Sequence, residues 1–228
     1  VPMDKKITFL CFAMAGVLLA MTAAASVAST ITVSATAPAV NGADIIQYAG
    51  DRDAGGDAGH FWGDRPWHGQ TFTTGGDPNG YTLNAVTLKN LNSNNGGSSS
   101  WNIRVGAVDG SNVFNPIRDE NINGTGVSMV GNTFVTWSFD TPLSLNPNTL
   151  YAFDVHPSGS GFVSANAESA AANPYSGGTA VSSGDNLPVS PPNPFTTGSF
   201  DRVFHVDLDP GTPQLLPLPT DNSIGVNF

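Results

Sequence analysis

The sequence has one cysteine, eight lysines and arginines together, and two glutamates. Each scarcity excludes something. Cys11 lies in the single long apolar run, so the rest of the chain can form no disulfide and no thiolate metal site. Eight cations against 18 acidic residues give a formal net charge of −10. Phosphate contacts need clustered Lys and Arg, which removes nucleic acid as a partner. Charged residues are only 11% of the chain, and hydrophobic residues are 39%, so it lacks the composition of an acidic disordered protein. Helical periodicity is also missing after residue 29. No G-x-S-x-G elbow, P-loop or dinucleotide motif occurs. The histidines, His60, His68, His156 and His205, show no H-E-x-x-H or H-x-H spacing, so no zinc motif is present.

Glycine and proline are plentiful at 26 and 17, as are phenylalanines at 13. Many turns and a real core follow. The first residues stand apart. Lys5 and Lys6 precede the run ITFLCFAMAGVLLAM, Ile7 to Met21, and Ser26-Val27-Ala28 fits a small-residue cleavage site. This pattern predicts a secretory signal peptide over 1–28, cleavage near Ser29, and a secreted, extracellular or cell-surface location with no membrane association after cleavage. The competing reading is a retained anchor, for which the run is short.

Period-2 alternation dominates from there. Ile31, Val33 and Ala35 alternate, as do Trp101, Ile103, Val105 and Ala107. So do Val135, Trp137 and Phe139, then Tyr151, Phe153 and Val155, then Phe204, Val206 and Leu208. Between Tyr81 and Leu91 the apolar phase slips, which predicts a bulge or bend. A short strand is expected at Thr179 to Ser182. Turn-rich stretches separate these segments, including NSNNGGSSS at 92–100 and a long excursion over 170–199. The pattern predicts an all-β protein, a jelly-roll-like antiparallel β-sandwich with long loops over residues 29–209. PGTPQLLPLP at 210–219 reads as a proline-rich linker, and 220–228 as a tail or the start of a following domain.

Three stretches carry a resemblance. They are Gly69-Gln70-Thr71-Phe72-Thr73-Thr74-Gly75 with Gly80-Tyr81-Thr82-Leu83, the run Thr141 to Val155, and Asp201 to Leu208. Together they resemble secreted bacterial β-sandwich domains of the PEP-CTERM or choice-of-anchor group. The resemblance implies a surface protein whose domain precedes laminin-G-like or immunoglobulin-like modules. Pro219 to Val226 is similar to the opening of an immunoglobulin-like repeat. The resemblance carries over no catalytic residues, and the Pro-Glu-Pro, transmembrane and basic-tail elements of that group are not in the sequence.

Candidate sites concentrate in DRDAGGDAGHFWGDRPWH, Asp51 to His68. One reading makes Asp51, Asp53 and Asp57 oxygen ligands for calcium, with Gly55 and Gly56 allowing the turn. Another makes Trp62 and Trp67 flat platforms for a sugar's C–H face, with Asp64, Arg65 and His68 bonding its hydroxyls, and Trp101 in the same role. The blander counterparts are a solvated acidic loop with Arg52 or Arg65 paired to an Asp, and tryptophans packed in the core. Trp137, alternating with Val135 and Phe139, is expected in the core.

The functional expectation is a non-catalytic binding or adhesion module, for extracellular polysaccharide or for neighbouring surface-protein domains. The alternatives are a carbohydrate-active enzyme, a glycoside hydrolase or polysaccharide lyase using Glu120, Glu168 and the Asp51–Asp64 loop, and a structural spacer.

Overall fold

In the computed structural model the described residues are 28–50, 59–60, 67–91, 97–111, 113–159, 166–170, 174–183, 196–197 and 200–212. Residues 1–27 of the expected signal peptide, residues 213–219 of the expected linker and residues 220–228 lie outside them. The chain forms β1 (Thr30–Ser34), β2 (Ile45–Gln47), β3 (Gly59–His60), β4 (Trp67–Thr73), β5 (Tyr81–Asn90), β6 (Ser100–Val108), β7 (Phe114–Asn123) and β8 (Thr133–Leu145). It continues with β9 (Leu150–Pro157), β10 (Asn166–Ala167), β11 (Ser169–Ala170), β12 (Ala180–Ser183), β13 (Thr196–Thr197), β14 (Asp201–Arg202) and β15 (Phe204–Pro210). All pairings are antiparallel.

The topology is that of a jelly roll. One sheet runs β1-β8-β5-β15-β2, with β10 and β3 taking over the edge of β5 at Asn90, where β15 stops. The other runs β13-β12-β4-β9-β6-β7. The central sets β2-β15-β5-β8 and β4-β9-β6-β7 are the interleaved order of two Greek keys. β1 extends the first sheet beyond β8, and β12 with β13 extends the second beyond β4.

The alternating apolar residues account for the core. Leu83, Val86, Leu88, Val135, Trp137, Phe204, Val206 and Leu208 come from the first sheet. Phe72, Trp101, Ile103, Val105, Ile122, Tyr151, Phe153 and Val155 meet them from the second. Trp101 and Trp137 pack edge to face at 5.7 Å between centroids.

The slip in apolar phase along β5 is a register shift. Leu83 faces Leu143 while Ala85 faces Ser138, and β15 shifts at the same place. Against β15 Asn84 is the extra residue, whereas on the other side β8 places residues 139–142 opposite it; its Nδ2 donates to Asp209 Oδ2 at 2.8 Å. The bulge lets Leu83 and Val86 both reach the core despite their odd separation.

Polar side chains of the second sheet depart from the simple pattern. Ala152, Asp154 and His156 alternate with core residues and would face solvent in a two-layer sandwich, yet all are buried. Every residue of β9 from Tyr151 to Pro157 is buried. The outer face of this sheet is therefore covered, and a smaller apolar cluster of Val108, Phe114, Ala152 and Val181 lies on it.

Candidate functional site

The structure places the sequence-predicted residues unevenly. Asp51, Asp53, Asp57, Trp62, Asp64 and Arg65 lie outside the described residues. Trp67, Trp101 and His68 are described, and none offers a surface platform. Trp101 is fully buried in the core against Trp137. Its sequence neighbours on the N-terminal side are serines and glycines, but its phase with Ile103 and Val105 turns the indole inward.

Trp67 is also buried, on the outer face of the second sheet. The Arg104 guanidinium lies 3.9 Å from its ring centre, and the His156 imidazole stacks at 5.1 Å with 21° between planes. Arg104 is fixed by Asp154: Nε donates to Oδ1 at 2.9 Å and Nη2 to Oδ2 at 2.5 Å. The indole is thus a structural partner for a buried cation, which corrects its expected role as a sugar platform.

His68 points the other way, into a buried polar network. Its Nδ1 lies 3.3 Å from Arg202 Nη2. Arg202 Nη1 donates to Ser169 Oγ at 3.1 Å, and its backbone N–H donates to Gln70 Oε1 at 2.9 Å. Gln70 Nε2 donates to Asp201 Oδ1 at 2.8 Å, and the Tyr175 amide donates to Asp201 Oδ2 at 2.6 Å. Burial pushes the Asp201 carboxyl up, against the pull of these two donors. This network ties β14 to β4 where the two-stranded β11-β14 piece bridges toward the first sheet.

The two glutamates are both committed to cations. Glu120 lies on β7, and its Oε2 accepts from Arg118 Nη1 at 2.9 Å. Glu168 Oε2 lies 2.6 Å from Lys89 Nζ. Among the described residues no group of three His, Asp or Glu is arranged to hold a metal ion.

A groove forms instead at the end of the sandwich where two connections cross between the sheets, residues 74–80 and 146–149. Asp77-Pro78-Asn79-Gly80 makes a tight turn, with the Gly80 amide on the Asp77 carbonyl at 2.9 Å and Gly80 at φ 74°. Asn146-Pro147-Asn148 makes the other, with Asn148 at φ 50°, a region that asparagine tolerates. The Asn148 amide donates to the Gly75 carbonyl at 2.8 Å, and Thr74 Oγ1 to the Asn146 carbonyl at 2.7 Å, which locks the two turns together.

Between them lies a hollow of about 500 Å³ lined by Pro78, Asn79, Tyr81, Ser144, Asn146 and Pro147, with Gly211 and Thr212 closing one side. A second hollow of about 490 Å³ shares Tyr81 and adds Asn41, Asp77 and Asp209. The Tyr81 hydroxyl accepts from the Asp77 amide at 3.2 Å, so the ring is fixed at the junction. Among the described residues the first hollow is lined by no charged side chain, in a chain with a net charge of −10. Amides, hydroxyls and two proline rings are what it offers. Sequence reasoning missed it because Asp-Pro-Asn-Gly and Asn-Pro-Asn signal turns, and a turn signature does not say what its side chains line.

Comparison with known proteins finds no matching family model, no matching curated protein and no matching solved structure.

Proposed function

We propose that this chain is a non-catalytic binding module for neutral extracellular polysaccharide, exported by its N-terminal signal and working within a surface assembly. The observation that carries the reading is the uncharged groove around Tyr81. A hollow of this size is in the range of small-ligand sites. Its Asn79, Asn146, Ser144 and Thr212 side chains can donate to and accept from sugar hydroxyls, and Pro78 and Pro147 present apolar rings to the C–H faces. The neutral lining suits a neutral chain, because burying an unpaired charge against hydroxyls costs more than it returns. The ion pairing of Glu120 and Glu168 supports binding rather than hydrolysis, since neither carboxyl is held apart as an acid or a nucleophile.

Retention of the full chain on neutral polysaccharides tests this, with soluble products assayed in the same tubes. Retention without products is expected. Asn79→Ala and Asn146→Ala should each weaken it roughly fivefold, the worth of about one hydrogen bond, with an unchanged melt. Released oligosaccharide would overturn the reading.

A second reading rests on Gly211 and Thr212. The Gly211 amide donates to the Gly80 carbonyl at 2.8 Å, so Gly211 and Thr212 run along the groove wall. A neighbouring domain of a surface protein would then be the occupant. In that case the same variants leave polysaccharide retention unchanged.

A further inference from the structure

Three Asn-Gly pairs lie among the described residues: Asn41-Gly42, Asn79-Gly80 and Asn123-Gly124. Such a pair can react with itself. The glycine nitrogen attacks the asparagine Cγ, a C–N bond forms, the Cγ–Nδ2 bond breaks, and the displaced proton leaves with ammonia. Water then opens the cyclic imide at either carbonyl, giving aspartate or isoaspartate. No oxidant or reductant is needed. The attack requires a glycine amide free of an acceptor and a backbone able to turn.

The fold separates the three pairs on these grounds. The Gly80 amide donates to the Asp77 carbonyl at 2.9 Å, and the Gly124 amide to the Ser99 carbonyl at 2.9 Å. Both glycines are buried. A Cβ on either would strike backbone, Leu145 O at 2.4 Å for Gly80 and Ser98 O at 2.3 Å for Gly124. Gly42 is different. It is exposed, its amide has no acceptor among the described residues, and nothing lies within 4 Å of where its Cβ would be.

Asn41 is also set up as the electrophile. The Ala43 amide donates to Asn41 Oδ1 at 2.8 Å. That bond folds the side chain back over the following peptide. It also places a donor on the oxygen that gains charge as nitrogen adds to Cγ.

We propose that Asn41 is a self-modification site, converting to aspartate and isoaspartate by attack of the Gly42 amide while Asn79 and Asn123 are held inert. The change lands where it alters the molecule. The Asn41 amide donates to Asp44 Oδ2 at 2.8 Å. Asp44 Oδ1 accepts from the Leu208 amide at 2.9 Å, and its Oδ2 lies 2.9 Å from His205 Nε2. Isoaspartate lengthens the backbone by one atom inside this turn. Either product adds a carboxylate to the hollow that already carries Asp77 and Asp209.

Incubating the folded full chain at mildly alkaline pH, followed by peptide mapping by mass spectrometry, tests the proposal. The expected result is a deamidation mass shift on the peptide holding Asn41, isoaspartate in that peptide, and intact Asn79 and Asn123. Gly42→Ala, for which there is open space, should slow the shift at least several-fold without changing the fold. In denaturant all three pairs should convert alike. Conversion of Asn79 or Asn123 as fast as Asn41 in the folded chain would overturn the proposal. So would an Asn41 that persists folded while the denatured sample converts.

Discussion

Arg104 and Asp154 form a bidentate ion pair on the outer face of the six-stranded sheet, and both are almost wholly buried, at 1% and 0% side-chain exposure. Two adjacent strands, β6 and β9, bring them face to face in register. Around them Trp67 takes the cation on its ring and Phe114 lies 5.5 Å away.

Breaking this pair from one side should be costly. Arg104→Met leaves a buried carboxylate with its main partner gone, so unfolding free energy should fall by about 3–5 kcal/mol in urea melts. Replacing both partners with apolar residues should restore much of that loss. A single variant within 1 kcal/mol of the parent would show that water reaches Asp154.

Trp101 distinguishes a core residue from a binding platform. Trp101→Ala should cost about 3–5 kcal/mol, because a large cavity opens beside Trp137. Polysaccharide retention per folded molecule should not change. Loss of retention with full stability would place Trp101 at a binding surface.

These results bear on what a reader of the sequence could see. The alternation of Trp101, Ile103 and Val105 with Asn102 and Arg104 identifies β6 and its core face. The same is true of Phe204, Val206 and Leu208 in β15. The phase slip after Leu83 even locates the bulge. What alternation could not show is that the second face of β4, β6 and β9 is buried too. Arg104, Asp154 and His156 occupy the outward phase, and in sequence a buried ion pair looks the same as a solvated one. The groove was hidden for another reason. Asn79 and Asn146 are 67 positions apart and meet only because both sheet crossings fall at one end.

Asp201 should set part of the acid stability profile. Its native carboxyl is raised above the usual 3.8 by burial. The folded chain therefore holds a proton that the unfolded chain releases. Stability from this group is complete below the ordinary value and is lost as pH rises through the raised one. Asp201→Asn turns one acceptor toward Gln70 or Tyr175 into a donor, so absolute stability should drop by about 1–3 kcal/mol. The diagnostic is the slope of stability against pH in that window, which should flatten. Asp207 is raised by burial as well and would account for the slope that persists.

At the alkaline end, Tyr48 should titrate late. Burial, with the Asp44 carboxylate nearby, pushes its phenol from 10.0 up to about 12. The folded chain keeps this proton while the unfolded chain gives it up, so stability should fall as pH rises from 10 to 12. A tyrosinate absorbance titration should show a step near pH 12 that Tyr48→Phe removes.

Gly69 offers a steric check on the second sheet. A Cβ there would come within 1.7 Å of the Phe153 carbonyl oxygen and 2.7 Å of the Asp154 Cα. Gly69→Ala must push β4 from β9. It should lower the melting temperature sharply, whereas Gly42→Ala should leave it in place.

The strand order has a consequence for how the protein is made. Asp44 and Leu208, 164 positions apart, hold β2 to β15. At ordinary translation rates of about 5–20 residues per second, β2 waits roughly ten seconds or more for its partner to be synthesised. Until then the inner surface of the first sheet, Leu88 and Val86 included, lacks the strand that completes it. Few local contacts can hold such a chain together, and long-range pairing makes folding slow. The moment of folding is thus set by the arrival of β15, Phe204–Pro210, which joins β2 to β5 and closes the first sheet.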